Sequence, residues 1–183
     1  MARVPYLSAD DLPEADRDVL KRPITLLQAL ANNPPAARAF EHLGMWIRFK
    51  CPLDPRLREL AIIQVGYVAR SAYEYSHHVK IGFDNGVTEA DLKALAVESA
   101  GGSSDLPAQD RAVLRAAREM EADGGMSQAT FDTLAGELGH SGVIDLAITI
   151  GFYCGVVRVL ASLAIDVEPE YQPYLEIVPL PGD

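Results

Sequence analysis

The residues best suited to chemistry fall in one stretch, Arg70-Ser71-Ala72-Tyr73-Glu74-Tyr75-Ser76-His77-His78, shortly after Arg56-Leu57-Arg58-Glu59-Leu60-Ala61. Half of the 4 histidines stand there side by side, next to a carboxylate. On a helix, Glu74 and His78 share a face at i and i+4, and Glu74 and His77 are neighbours at i and i+3. An imidazole, with a resting pKa of about 6.5, suits proton transfer near neutrality. A carboxylate within hydrogen-bond reach fixes its tautomer and favours its cationic form. The unit is a candidate acid–base pair; the plain alternative is a solvated Glu–His pair on a helix surface. His77 and His78 lie about 100° apart around a helix axis, so one of them rather than both is expected in a given pocket.

Helices must position these groups. Pro34-Pro35 opens one with Phe40, Leu43, Trp46 and Ile47 at helical spacing. Cys51-Pro52-Leu53-Asp54-Pro55 breaks it, and Asp54 as cap with Pro55 behind it starts the next, over 56–70. A further helix is expected over 72–84, stopped at Asn85-Gly86, and Thr88 caps another to about Ala100. After the loop Gly101-Gly102-Ser103-Ser104-Asp105 come helices near 107–122, 127–138 and 142–164, then a Pro-rich tail over 169–183. No segment alternates with period two, so the expected class is all-α, a helical bundle forming a single domain over 1–183. A faint echo between Glu59-Leu60-Ala61-Ile62 and Asp145-Leu146-Ala147-Ile148 suggests two related helical halves. Glu59 precedes the expected turn by about three helical turns and His78 follows it by about two. Antiparallel helices would therefore bring them level to within ~5 Å.

The segment resembles the carboxymuconolactone decarboxylase family, which includes alkylhydroperoxidase D. That family carries a Glu on one helix and a Cys-x-x-Cys-x-x-x-His signature entering the next. Here the Glu falls on Glu59 and the His on His78, while the cysteine positions hold Ser71 and Glu74. Gly82, Gly86, Val87 and Thr88 continue the likeness, which covers about residues 36–125. The resemblance implies an alkylhydroperoxidase D-like fold and association into trimers or hexamers. It does not imply thiol peroxidase chemistry, because that needs an attacking thiolate and a resolving thiol, and Cys51 and Cys154 occupy neither position.

The cysteine-free form resembles instead the lactone decarboxylase side of the family, where the substrate carbonyl serves as electron sink and no cofactor is needed. Under that reading His78 is the acid–base group, Glu59 orients it and Glu74 flanks it. Arg58 and Arg70 would hold a carboxylate, with Ser71, Tyr75 and Trp46, beside Tyr73, lining the pocket. The alternative from a different class is an oligomeric small-ligand-binding protein of the same fold without chemistry. Glu74-x-x-His77 has the form of half a di-iron site, but no second Glu-x-x-His accompanies it, so no metal is expected.

Composition narrows the partners. The net charge of −10 repels phosphate backbones and anionic lipid heads, so neither nucleic acid nor a membrane is expected as partner. A small anionic substrate would then need a local cationic pocket. The start Met1-Ala2-Arg3-Val4-Pro5 has no apolar core like that of a secretion signal, and the two cysteines show no paired spacing. A reducing, cytoplasmic setting is the expectation. The apolar run from Ile144 to Ile165 is interrupted by Asp145, Thr149 and Arg158 and reads as a buried bundle helix. The tail carries Tyr171, Tyr174, Leu175, Ile177 and Val178 and is expected to pack on its own body or on a neighbouring copy, as part of a trimer interface.

Overall fold

A computed structural model describes residues 2–182; Met1 and Asp183, the two ends of the expected domain, lie outside them. The described residues form α-helices and short 3-10 turns, with no strand among them. In chain order the helices are α1 (Thr25–Leu30), α2 (Pro34–Phe49), α3 (Pro55–Val68), α4 (Ala72–Asp84), α5 (Glu89–Ser99), α6 (Ala108–Ala122) and α7 (Gln128–Leu163). The 3-10 turns Ala9–Asp11 and Glu14–Leu20 precede α1, and Pro169–Leu175 follows α7.

Side-chain caps set the helix starts. Asn33, Asp54, Ser71, Thr88 and Ser127 each accept a hydrogen bond from a backbone N–H of the first turn. Proline follows the cap in α2 and α3, and Thr88 and Asp91 form a reciprocal capping box. The sequence places two helices where α7 runs. The structure joins them end to end, with a break at Gly139, whose φ of 67° only glycine adopts without strain. By length and composition α7 could cross a bilayer, but half of its most apolar window is buried inside the body. Its inward residues Leu146, Ile150, Tyr153, Val157 and Leu160 keep helical spacing and join the main core.

α3 is the centre of the bundle. Every residue from Leu57 to Tyr67 is buried, because α4, α6 and α7 pack around it. Its buried charged and amide side chains are paired. Gln64 donates to Ser99 and accepts from Arg118, and Arg56, at the solvent edge, bridges Asp91 and Asp110. The turn from α3 to α4 is tight. Arg70 takes the left-handed conformation at φ 52°, and the Ser71 N–H donates back to the Gly66 carbonyl at 2.9 Å. At Gly66 the two helices nearly touch, since a β-carbon there would lie 2.9 Å from the Tyr75 backbone nitrogen. This approach brings the start of α3 level with the end of α4.

The tail folds back on its own body. Val178 and Leu180 are buried in the main core, and the Tyr75 hydroxyl donates to the Val178 carbonyl at 3.0 Å. Burial of two such side chains stabilises by about 1.5–3 kcal/mol each, which offsets part of the entropy lost in ordering the segment.

Candidate active site

Glu59 on α3 and His78 on α4 meet directly, with Glu59 Oε2 2.6 Å from His78 Nδ1. The roughly one-turn mismatch expected from residue counting is closed by the tight turn at Arg70. Arg58 Nε donates to the other Glu59 oxygen at 3.0 Å, and His78 Nε2 lies 3.0 Å from Glu74 Oε1. Arg58, Glu59, His78 and Glu74 thus form a buried line of alternating charge. Burial, the largest single influence, pushes the His78 pKa down. The two carboxylates together outweigh it and raise the group to about 9. For Glu59, burial pushes the pKa up, but His78 and Arg58 hold the carboxylate below its usual range. At neutral pH His78 is therefore an imidazolium between two carboxylates. Glu59→Gln removes one of them, so the His78 pKa is expected to fall by a unit or more, measured by NMR titration of the ring; an unchanged value would show that the two do not act as a unit.

A cavity of about 70 Å³, open at its mouth, adjoins this line. His78 and Glu74 form part of its wall, while Glu59 and Arg58 stand behind them. Apolar side chains from α1, α2 and α7 face it, among them Leu26, Phe40 and Phe152. The Tyr153 ring meets His78 edge-on at 4.9 Å between centroids. Tyr153 is almost fully buried, and its hydroxyl has no hydrogen-bond partner among the described residues although no buried side-chain polar atom is left orphaned. The hydroxyl therefore opens onto the cavity it lines. Burial raises its pKa well above the usual phenol value, so it is a neutral donor.

Both histidines line the cavity, contrary to the expectation that helical spacing would admit one. His77 reaches it because the chain returning from α7 supplies a partner, Glu168 Oε2, at 2.8 Å from Nε2. The His77 ring is also sandwiched between Tyr73 and Tyr171, at centroid distances of 4.1 and 3.5 Å. Glu168 further accepts from the Thr25 backbone and hydroxyl and from Tyr73, so it ties α1, α4 and the tail together. Burial pushes the Glu168 pKa up, but the bonds from His77 and Thr25 hold it down at about 2. A depressed carboxylate stabilises the fold above its unfolded value of about 4.5 and loses that contribution as pH falls towards 2. Glu168→Gln is accordingly expected to lower the melting temperature at pH 7 and to flatten its fall between pH 4.5 and 2. Parallel acid melts of the two proteins check this, and curves that run parallel down to pH 2 would refute it.

The other residues expected at the site are placed as follows. Arg58 is buried against Glu59 and does not line the cavity. Arg70 is exposed at the turn, its guanidinium beside Gly182. Ser71 caps α4, and the Tyr75 hydroxyl holds the tail through the Val178 carbonyl; neither lines the cavity. Trp46 is half-buried on α2, packed against the core rather than in the cavity wall. The cationic groups at the cavity are instead Arg22 and Arg48. Neither stood out in sequence, because an arginine before a short helix and one near a helix end are ordinary surface residues; the only hint was that α2 carries Arg48 one residue from the buried Ile47. Cys51 and Cys154 are buried, and burial, with the neighbouring Glu121, pushes Cys154 up to about 12. Among the described residues, no group of three or more His, Cys, Asp and Glu side chains is arranged to hold a metal ion.

Residues 34–119 match the model of the carboxymuconolactone decarboxylase family. The match covers 86 of the 183 residues. Its fold is that of the alkylhydroperoxidase core of an uncharacterized peroxidase-related protein from Ralstonia eutropha JMP134, with TM-score 0.79 and 21% identity over 97% of each chain. The debrominase Bmp8, in a variant complexed with 2,3,4-tribromopyrrole, superimposes with TM-score 0.80 and 21% identity over 97% of this chain and 98% of its own. A peroxidase-related protein from Silicibacter sp. TM1040 gives TM-score 0.65 and 19% identity over 92% of each chain. No curated protein matches the sequence. The matched stretch contains α2 to α6 almost whole, and so both helices that supply Glu59 and His78.

Proposed function

We propose that this carboxymuconolactone decarboxylase-like protein is a cofactor-free acid–base enzyme, a decarboxylase or isomerase acting on a small carboxylated lactone or a related conjugated carbonyl compound. The observation that carries this reading is the Glu59–His78–Glu74 line, which ends at the wall of an otherwise largely apolar cavity. In the decarboxylation the C–C bond to the carboxylate breaks, CO₂ leaves, and the electron pair moves into the conjugated carbonyl as an enolate. The Tyr153 hydroxyl donates a hydrogen bond to the enolate oxygen as its charge develops. The proton shared by His78 Nε2 and Glu74 is then delivered to the carbon, while Glu59 steadies the ring through Nδ1. Water at the cavity mouth returns the proton to the imidazole, which closes the cycle. A panel of carboxylated lactones and conjugated keto acids, followed by CO₂ release and by deuterium uptake at carbon, tests the reading. Turnover that Glu74→Gln and Tyr153→Phe both reduce supports it, and no turnover across the panel would leave a ligand-binding protein as the better description.

We also propose that the protein is a homo-oligomer of trimeric symmetry. Its surface leaves Phe49 64% and Ile144 59% exposed, with Leu43, Met45 and Ile148 also open to solvent. Sedimentation equilibrium at micromolar concentration is expected to show an assembly, and a stable monomer would refute it.

A further inference from the structure

The cavity is not the only hollow on this side of the molecule. A wider groove lies outside it, and the two share four lining residues: Arg22, Glu41, Met45 and Arg48. These four form the threshold between groove and cavity. Across the threshold from Glu74 and His78, the polar groups are two guanidiniums and one carboxylate. Neither the Arg22 nor the Arg48 side chain makes an ion pair or hydrogen bond among the described residues. The Arg48 guanidinium lies over the Phe49 ring, at 5.1 Å. The chain has 26 acidic residues against 16 basic, and other arginines nearby are satisfied: Arg38 by Asp16 and Asp18, Arg58 by Glu59. Two like charges at one threshold, Arg22 exposed and Arg48 partly buried, repel each other, and an anion between them would relieve that repulsion. Burial and the neighbouring Arg22 charge both hold the Arg48 pKa below its usual value, the direction expected for a cation awaiting a counter-charge.

We propose that Arg22 and Arg48 form an anion subsite at the threshold, holding a retained carboxylate of a planar organic acid whose reactive end lies at Glu74 and His78. The role of the reactive end rests on the acid–base reading above. The carboxylate gripped by the arginines is not the one lost, because an ion pair with a guanidinium would stabilise the ground state against loss of CO₂. The substrate therefore carries two distinguishable ends, an anionic one at the mouth and a conjugated carbonyl inside. Between them Phe40, Phe152 and Leu26 offer flat apolar walls for its body. Lys21, also in the groove, adds a further positive charge on the approach. An acidic protein thus presents one locally cationic entrance, which captures an anion that the rest of its surface repels.

Benzoate and its neutral counterpart benzamide test the subsite by isothermal titration calorimetry. Benzoate is expected to bind the wild-type protein at least tenfold more tightly than benzamide. Arg48→Gln and Arg22→Gln are each expected to weaken benzoate by tenfold or more without altering benzamide, and Arg48→Lys should recover part of the loss. Arg22 is exposed, so its variant reports even if Arg48→Gln folds poorly. Benzoate no tighter than benzamide, or within twofold of wild type in both glutamine variants, would overturn the proposal. Arginine-dependent benzoate binding in a protein that turns over no lactone acid would keep the subsite and sink the acid–base reading. Turnover with an unchanged KM in both glutamine variants would do the reverse.

Discussion

His78→Ala is expected to lower turnover by roughly 10² to 10⁴-fold, the usual loss for a positioned acid–base group. The size follows from the line of charges around it. His78 is the only member bonded to a carboxylate on each side, so without it neither Glu59 nor Glu74 has a proton to pass on. The variant also leaves Glu59 fully buried with Arg58 as its remaining partner, which should destabilise the fold by on the order of 3 kcal/mol. Rates must therefore be normalised to the folded fraction, read by circular dichroism. In the wild type the proton donor is the cationic form, so activity should be full below about pH 9 and fall above it. Glu59→Gln should move that limb to lower pH. His77→Ala loses the Glu168 bond and the tyrosine stack but no part of the line, and should cost stability with less than a tenfold loss in rate. Equal losses from the two alanine variants would move the chemistry away from His78.

The second large effect is expected at a residue with no side chain. Gly66→Ala places a methyl group 2.9 Å from the Tyr75 nitrogen and 3.0 Å from its α-carbon, both backbone atoms that cannot rotate aside. α3 and α4 must separate, and the predicted cost is ~1–3 kcal/mol even after alanine's better helix propensity is counted. For a chain of this size that is a fall of about 2–10 °C in melting temperature. The same shift lengthens the Glu59–His78 bond, so activity should drop in the protein that remains folded. Gly136→Ala is the control. It is exposed in α7 with nothing within 4 Å, and should leave stability unchanged or raise it by up to about 1 kcal/mol. Matching melts for the two variants would show that the helix approach at Gly66 is not tight.

The helices were legible in the sequence because their ends are written locally. Asp54-Pro55, Thr88 with Asp91, and Asn85-Gly86 each specify a start or a stop within a few residues. The meeting of Glu59 and His78 was legible for the same reason, being a matter of two adjacent helices and one turn. Arg22, Arg48, Tyr153 and Glu168 were not. The first three reach the cavity, and Glu168 reaches His77 in its wall, from different elements, and nothing in the few residues around any of them encodes the packing that places it. Arg58 and Arg70 were attractive because they sit near the motif. One is taken up by a neighbouring carboxylate, and the other is turned outward by the left-handed backbone of the residue itself. Ser71 shows a related ambiguity, since a position matching a family cysteine is occupied by a residue that caps the helix.

The contacts of the returning tail impose an order of events on synthesis and folding. The bond between Glu59 and His78 spans 19 residues, whereas those from His77 to Glu168 and from Tyr75 to the Val178 carbonyl span 91 and 103. Closing the longer loops costs about 1.4 kcal/mol more in chain entropy than closing the short one. As a ribosome extends the chain, α3 and α4 can pair while the segment carrying Glu168 is still unmade, and the wall around His77 stays open until Glu168 has emerged. A nascent chain therefore holds its proton-handling line well before it holds a finished pocket.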